Sequence, residues 1–287
     1  MSAIIFALVT FLTWGSGDIF TTIAARKMGA YSTSFYGYFY GFIFVTFYIP
    51  FAIHQLTSFS LPMILLTVFL AIIQLIAFYA YNAGLRIANA SLVGTISGSF
   101  TALVVILSVL FLGERLLLWQ IVAILIIFVG LFFSSINLSE IKNKKSILNK
   151  GVLYAFIALL GWAIYFTFIK IPVKEAGTFW PTYLTDFVGT LGFLLFGIKK
   201  IKKPAMAIQS GSPAAFVAGI LLTVGSFAFN FAIGQGLSSV VASIAGAYPA
   251  LFAFLASITF KDPITRQQKF GMIVTLIGIV LLAYFSE

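Results

Sequence analysis

The stretch Ile121-Val-Ala-Ile-Leu-Ile-Ile-Phe-Val-Gly-Leu-Phe-Phe133 decides the fold class. It carries no charge, and its apolar residues do not alternate with polar ones, as they would in a membrane β-strand facing lipid on one side and a lumen on the other. Extended in both directions it becomes an apolar run over 117–136, close to the roughly 20 residues that a helix needs to cross a bilayer. Nine more such runs are read near 2–22, 33–53, 62–84, 90–112, 151–171, 179–198, 212–233, 238–260 and 269–285. The chain is 61% hydrophobic and 8% charged. A soluble domain carries about 25% charged residues. This chain cannot cover itself with water-compatible surface, so lipid must be its solvent. The expectation is an all-α polytopic membrane protein with ten transmembrane helices.

Working outward from that run uncovers a repeat. Gln120 and Gly130 recur as Gln268 and Gly278, at a shift of 148 (268 − 120). The same ungapped shift lays Trp14 on Trp162, Gly29 on Gly177, Gly41 on Gly189, Asn82 on Asn230, Gly98 on Gly246 and Glu114 on Asp262. Trp, Asn and Gln are scarce here, so chance does not account for the register. Internal duplication in an apolar chain marks many secondary transporters. The expected organisation is a five-helix repeat over 1–139, a basic cytoplasmic linker over 140–150 and a second five-helix repeat over 151–287. An odd number of helices makes the second copy enter the membrane from the opposite side. The halves are then inverted about an axis in the membrane plane, the arrangement that serves alternating access.

The net charge of +10 would point to nucleic acid in a soluble protein. Here the basic residues collect in alternate loops: Arg26 and Lys27; Arg86; Lys142, Lys144, Lys145 and Lys150; Lys199, Lys200, Lys202 and Lys203; Lys261, Arg266 and Lys269. Cytoplasmic loops carry such an excess, so both termini are expected outside a plasma or inner membrane, with no nucleic-acid partner. The first run lacks a basic leader and a small-residue cleavage site, and reads as helix 1 rather than as a signal peptide. With no cysteine and one histidine, His54, thiolate and histidine metal sites are not expected. No phosphate-binding Gly-rich loop with Lys-Ser/Thr is present, so no cofactor is expected and transport would be secondary.

A carboxylate inside the bilayer faces a cavity or a partner, because lipid solvates it poorly. Asp18 and Asp186 are the two candidates, as counter-charges for a cationic substrate or as proton acceptors that couple transport. They could instead pair with Lys170 or Arg26. The two acids are not repeat mates: Asp18 falls on Phe166, and Tyr38 on Asp186. Asn82 and Asn230, matched in the repeat, either bind substrate or tie neighbouring helices together. Trp14, Trp162, Tyr79, Tyr165 and Tyr248 are candidates for an aromatic cavity wall, since their polar tips need partners. Lys170 is expected to snorkel to the outer interface. Glu114 and Arg115 are expected to cap a helix or pair locally within reach of water. The Gly/Ser stretch 91–99 could supply a gating turn.

These motifs resemble the EamA repeats of the drug/metabolite transporter superfamily. The resemblance rests on Trp14-Gly-Ser and Gly161-Trp162-Ala, on Ala90-Ser-Leu-Val with Gly98 and Leu112-Gly-Glu-Arg, and on Ser238-Ser-Val-Val with Tyr248-Pro-Ala-Leu. It implies a transporter and not an enzyme, whose substrate is a small metabolite such as an amino acid or amine, exported or imported. The implied central cavity is lined by both halves, with monomer or homodimer open. The expected substrate-binding set is Trp14, Tyr79, Asn82, Trp162, Tyr165, Asp186, Asn230 and Tyr248, with Asp18 and Asp186 as coupling residues. Gly15-Ser-Gly-Asp18 and Pro249-Ala-Leu251 match short patterns of intramembrane aspartyl proteases, with Asp186 as second acid. That reading requires the two carboxyls to share a proton within hydrogen-bond reach.

Overall fold

The computed structural model describes residues 2–88, 90–135, 150–201, 211–261 and 264–286. Among them the chain is helical, with short 3-10 turns and no strand. The first half runs α1 (Ser2–Met28), α2 (Ala30–Thr46), α3 (Ile49–Ala52), α4 (Leu61–Ile87), α5 (Ala90–Gly98), α6 (Phe100–Leu112) and α7 (Leu118–Ser135). The second runs α8 (Lys150–Phe168), α9 (Lys170–Ala176), α10 (Phe179–Gly197), α11 (Ser212–Gln235), α12 (Ser238–Ala245), α13 (Tyr248–Thr259) and α14 (Arg266–Tyr284). Eight helical stretches of the described residues are long and apolar enough to cross a membrane, or nine if the bent pair over Ala30–Thr46 and Ile49–Leu56 is one span; the apolar α7 is slightly shorter. Most of the linker over 140–150, with Asp262 and the basic residues at 142–145 and 202–203, lies outside the described residues.

Four runs that read as single helices are broken, and the sequence holds the reason for three. Helices α2, α8 and α12 end at Thr46, Phe168 and Ala245, each four residues before a proline: Pro50, Pro172 and Pro249. Proline has no N–H to offer the fourth carbonyl behind it, and its ring crowds that carbonyl. The fourth break, between α5 and α6, falls at Gly98, the repeat mate of Gly246 beside the α12–α13 break.

Several contacts between the halves occur twice. A Cβ on Gly98 would stand 2.6 Å from Pro249, and one on Gly246 would overlap Thr101. Pro249 and Thr101 are themselves 148 apart (249 − 101), so each contact is the other with the halves exchanged. Gly130 on α7 leaves no room for a side chain against Thr275 on α14, and Gly278 stands in the same way against Ile127. Ile127 and Thr275 are again mates. Larger pairings agree: α1 lies along α11, and α8 lies along α4. Such contacts set equivalent positions of the two repeats against each other.

Two ends of the bundle can be told apart. At one, the Ser2 hydroxyl donates to Gln235, and the Gln120 amide donates to the Phe285 carbonyl and Ser286 hydroxyl at 3.3 and 3.2 Å. At the other, Lys200 lies over the Tyr31 ring and Lys27 packs at Gly211.

A candidate transport cavity on the axis between the halves

Two cavities of about 60 and 50 Å³ lie between the halves. Gln74, Phe78, Leu222 and Ser226 wall both, so the two are adjoining chambers of the lumen. At one end stand Asp18, Trp14, Tyr81, Phe100, Trp162, Phe166 and Tyr248; at the other Asp186, Tyr38, Tyr165, Thr185 and Thr223. The shared walls are repeat mates, Gln74 with Leu222 and Phe78 with Ser226. So are Trp14 with Trp162, Asp18 with Phe166 and Phe100 with Tyr248. The lumen is therefore lined at equivalent positions of the two repeats. The ring contacts recur in both halves, with a different tilt in one of them: Trp14 stacks on Phe229 at 5.5 Å and meets Tyr248 edge-on at 5.8 Å. Their mates, Trp162 with Tyr81 and with Phe100, stand at 5.0 and 5.6 Å.

The polar groups break this symmetry. Asp18 is 3% exposed and accepts a 2.6 Å hydrogen bond from the Tyr81 hydroxyl. Asp186 is 8% exposed and accepts from Thr223 at 3.1 Å. Neither acid pairs with a cation among the described residues. Lys170 goes to Glu114, and Arg26 lies over the Phe260 ring. The acids sit at opposite ends of the lumen and share no hydrogen bond, which leaves the aspartyl-protease geometry unmet.

Of the residues expected in the cavity, Trp14, Trp162, Tyr165, Asp18, Asp186 and Tyr248 line it. Tyr165 donates to Thr185 at 3.2 Å. Tyr79, Asn82 and Asn230 are not among the lining residues. Tyr79 is partly exposed and packs edge-on against Tyr31 at 5.9 Å. The Asn82 amide donates to Ser34 at 2.9 Å and the Asn230 amide to Thr182 at 2.8 Å. Ser34 and Thr182 are mates too (182 − 34 = 148), so one bond is made in both halves, tying α4 to α2 and α11 to α10. Sequence reasoning missed Gln74, Phe78, Tyr81, Leu222 and Ser226. Positions 74, 78 and 81 fall on one helix face, and each differs in polarity or size from its mate.

Two expectations about charge are corrected. Lys170 does not snorkel: it is buried, and its ammonium donates to Glu114 at 2.7 Å and to the Gly236 carbonyl at 2.8 Å. Glu114 is likewise dry, and caps a distant helix rather than its own. Its carboxylate accepts from the backbone N–H of Ser238 and Ser239 at 2.7 and 2.9 Å, and from the Ser239 hydroxyl at 2.6 Å, at the start of α12. A carboxylate there satisfies orphan amides and meets the positive end of the helix. Burial pushes the Glu114 carboxyl up, but the Lys170 ammonium and the Ser239 donors outweigh it and hold the group below its ordinary value.

The EamA-like transporter family model matches residues 1–136 and again 149–284, which together span nearly the whole chain. The chain belongs to the EamA-like transporter family. EamA-like proteins are multi-pass membrane transporters of the drug/metabolite superfamily, and this one is accordingly a transporter and not an enzyme. An uncharacterized transporter of Bacillus subtilis, YvbV, is 24% identical over 217 residues, covering 74% of this chain and 69% of that protein. An uncharacterized protein of Methanocaldococcus jannaschii is 26% identical over 117 residues, 41% of this chain and 85% of the other. A crystal structure superposes with a TM-score of 0.75 at 14% identity, covering 99% of this chain and 97% of that one, a likeness of fold alone.

Proposed function

We propose that this EamA-like protein is a secondary transporter that moves a small metabolite by alternating access. Its ten spans form two inverted five-helix halves over 1–139 and 151–287, joined by a cytoplasmic linker over 140–150, with both termini outside an inner or plasma membrane. The observation that carries the reading is the lumen whose walls are repeat mates. A site on the axis between two like halves presents equivalent surroundings to either side when the halves exchange conformations. The reciprocal glycine contacts support the two-fold relation, and the gathering of Lys27 and Lys200 at the end opposite Ser2 and Ser286 supports the orientation. Substrate is held among Trp14, Trp162, Tyr165, Asp186 and Tyr248. Asp18 and Asp186 couple its passage to charge movement, while Asn82 and Asn230 lock the helices that frame the site.

The chain has no cysteine, so an introduced one reports alone. Ser226→Cys in oriented proteoliposomes is expected to react with an impermeant maleimide from either face of the membrane. Reaction from one face only, under every ionic and pH gradient imposed, would refute alternating access at this site.

A further inference from the structure

The lumen carries a carboxyl at each end. Asp18 lies at one end and Asp186 at the other, each receiving a single hydroxyl at Oδ2. Between them stands Gln74, whose Oε1 is buried without a partner among the described residues. No lysine or arginine lines either end. Neither carboxyl faces a cation among the described residues, and in a region that lipid surrounds its charged form needs a partner. The wall between the ends is partly apolar, from Phe78 and Leu222, and fits methylenes. Trp14, Trp162 and Phe166 line the Asp18 end, and aromatic rings suit an ammonium by cation–π attraction. Two further groups, both more than nine-tenths buried, also lack partners: the Trp162 indole N–H at the Asp18 end and the Tyr38 hydroxyl at the Asp186 end.

Resting on the transport site argued above, we propose that this lumen takes an aliphatic chain bearing two ammonium groups, one at Asp18 and one at Asp186, with its methylenes along Phe78 and Leu222. Phosphates and simple carboxylic acids meet two carboxylates and are rejected. Uncharged sugars leave both carboxylates uncompensated. The ligand class has two sources, a simple diamine or a diamino acid. In the second the extra carboxylate, beside the ammonium held at Asp18, accepts from the unpartnered Trp162 indole N–H of that end.

Four probes of similar length separate the possibilities: cadaverine, lysine, pentylamine and norleucine. Each is titrated against the purified full chain, with binding read as the rise in melting temperature. Cadaverine or lysine is expected to stabilise the protein at least tenfold more tightly than pentylamine or norleucine. Asp18→Asn and Asp186→Asn, nearly isosteric and checked for folding by their ligand-free melting, are each expected to weaken the bound dication at least tenfold. If lysine binds and cadaverine does not, and Trp162→Phe removes the lysine response, the ligand is a diamino acid; the reverse preference makes it a simple diamine. Pentylamine or norleucine binding as tightly as the dications would overturn the proposal, as would two Asn variants that bind dications like the parent. Flux in proteoliposomes keeps the two readings apart. Norleucine moved without any dication binding defeats the dication site and leaves the transporter, whereas dications bound but never moved defeat the transport role of the site.

Discussion

Asp186 and its mate Tyr38 show how one residue changes what a symmetric frame can do. Asp186 faces Gly41 in α2, and Tyr38 faces Gly189, the mate of Gly41, so the backbone at both positions is alike while the chemistry differs. Asp186→Asn is expected to abolish transport and leave melting unchanged or higher, because an amide is cheaper to bury than an uncompensated carboxylate. Flux and melting of one preparation check this together, and full flux in the Asn variant would remove Asp186 from the mechanism. Tyr81→Phe deprives Asp18 of its one hydroxyl donor among the described residues while leaving the ring. A buried acceptor left bare costs about 1–3 kcal/mol. The variant is expected to unfold at lower denaturant by that amount, and no shift would mean that Asp18 finds another donor.

At the scale of elements, the Glu114–Lys170 pair joins three segments: the loop after α6, the start of α9 and the start of α12. Its counterpart in the first half has no lysine, since Lys170 falls on Thr22. Removing one partner of a buried pair typically costs about 3–5 kcal/mol, because the other charge stays buried alone. Glu114→Ala is expected to lose that much stability, and Lys170→Met with Glu114→Gln together less than the sum of the two changes. Additive losses in a double-mutant cycle would show that the two groups do not act as a pair. The pH dependence follows from the direction of the Glu114 shift. Its carboxyl is held below the ordinary value of 4.5, so its contribution to stability is complete above that value in the unfolded chain. The contribution fades as pH falls below 4.5 through the folded value. Melting in detergent between pH 6 and about pH 3 is expected to fall more steeply for the parent than for Glu114→Gln.

For the whole molecule, the close pairing of α7 with α14 joins the ends of the two halves. Gly130 and Gly278 allow backbone contact there, with Gly271 beside Ser134 in the same seam. Gly130→Leu is expected to separate the two helices and destabilise the protein by about 1–3 kcal/mol or more, as overpacking does. The control is Leu at exposed Val129, which does not touch that seam and is expected to leave melting unchanged. An equal effect of both substitutions would locate the seam elsewhere.

What the sequence determined by itself was the helical membrane class and the duplication. A long apolar run has only two ways to satisfy its backbone in lipid, and this one lacks the alternation of a barrel strand. The breaks have a local cause in Pro50, Pro172 and Pro249, each acting on the fourth carbonyl behind it, but hydropathy alone reads each run as one helix. The mates Asn82 and Asn230 were visible, but their role was not: whether an amide meets a ligand or a neighbouring hydroxyl depends on which helix stands opposite. Tertiary structure also decided the lumen. Tyr79 and Tyr81 differ by two residues, about 200° around a helix, and only the packing of α4 against α8 turns Tyr81 inward to Asp18. It likewise decided that Lys170 and Glu114, 56 residues apart, would meet in a dry site and not in water. Local pattern specifies periodicity and breaks, while the partner of a polar side chain is set by a chain segment too distant for any local pattern to encode.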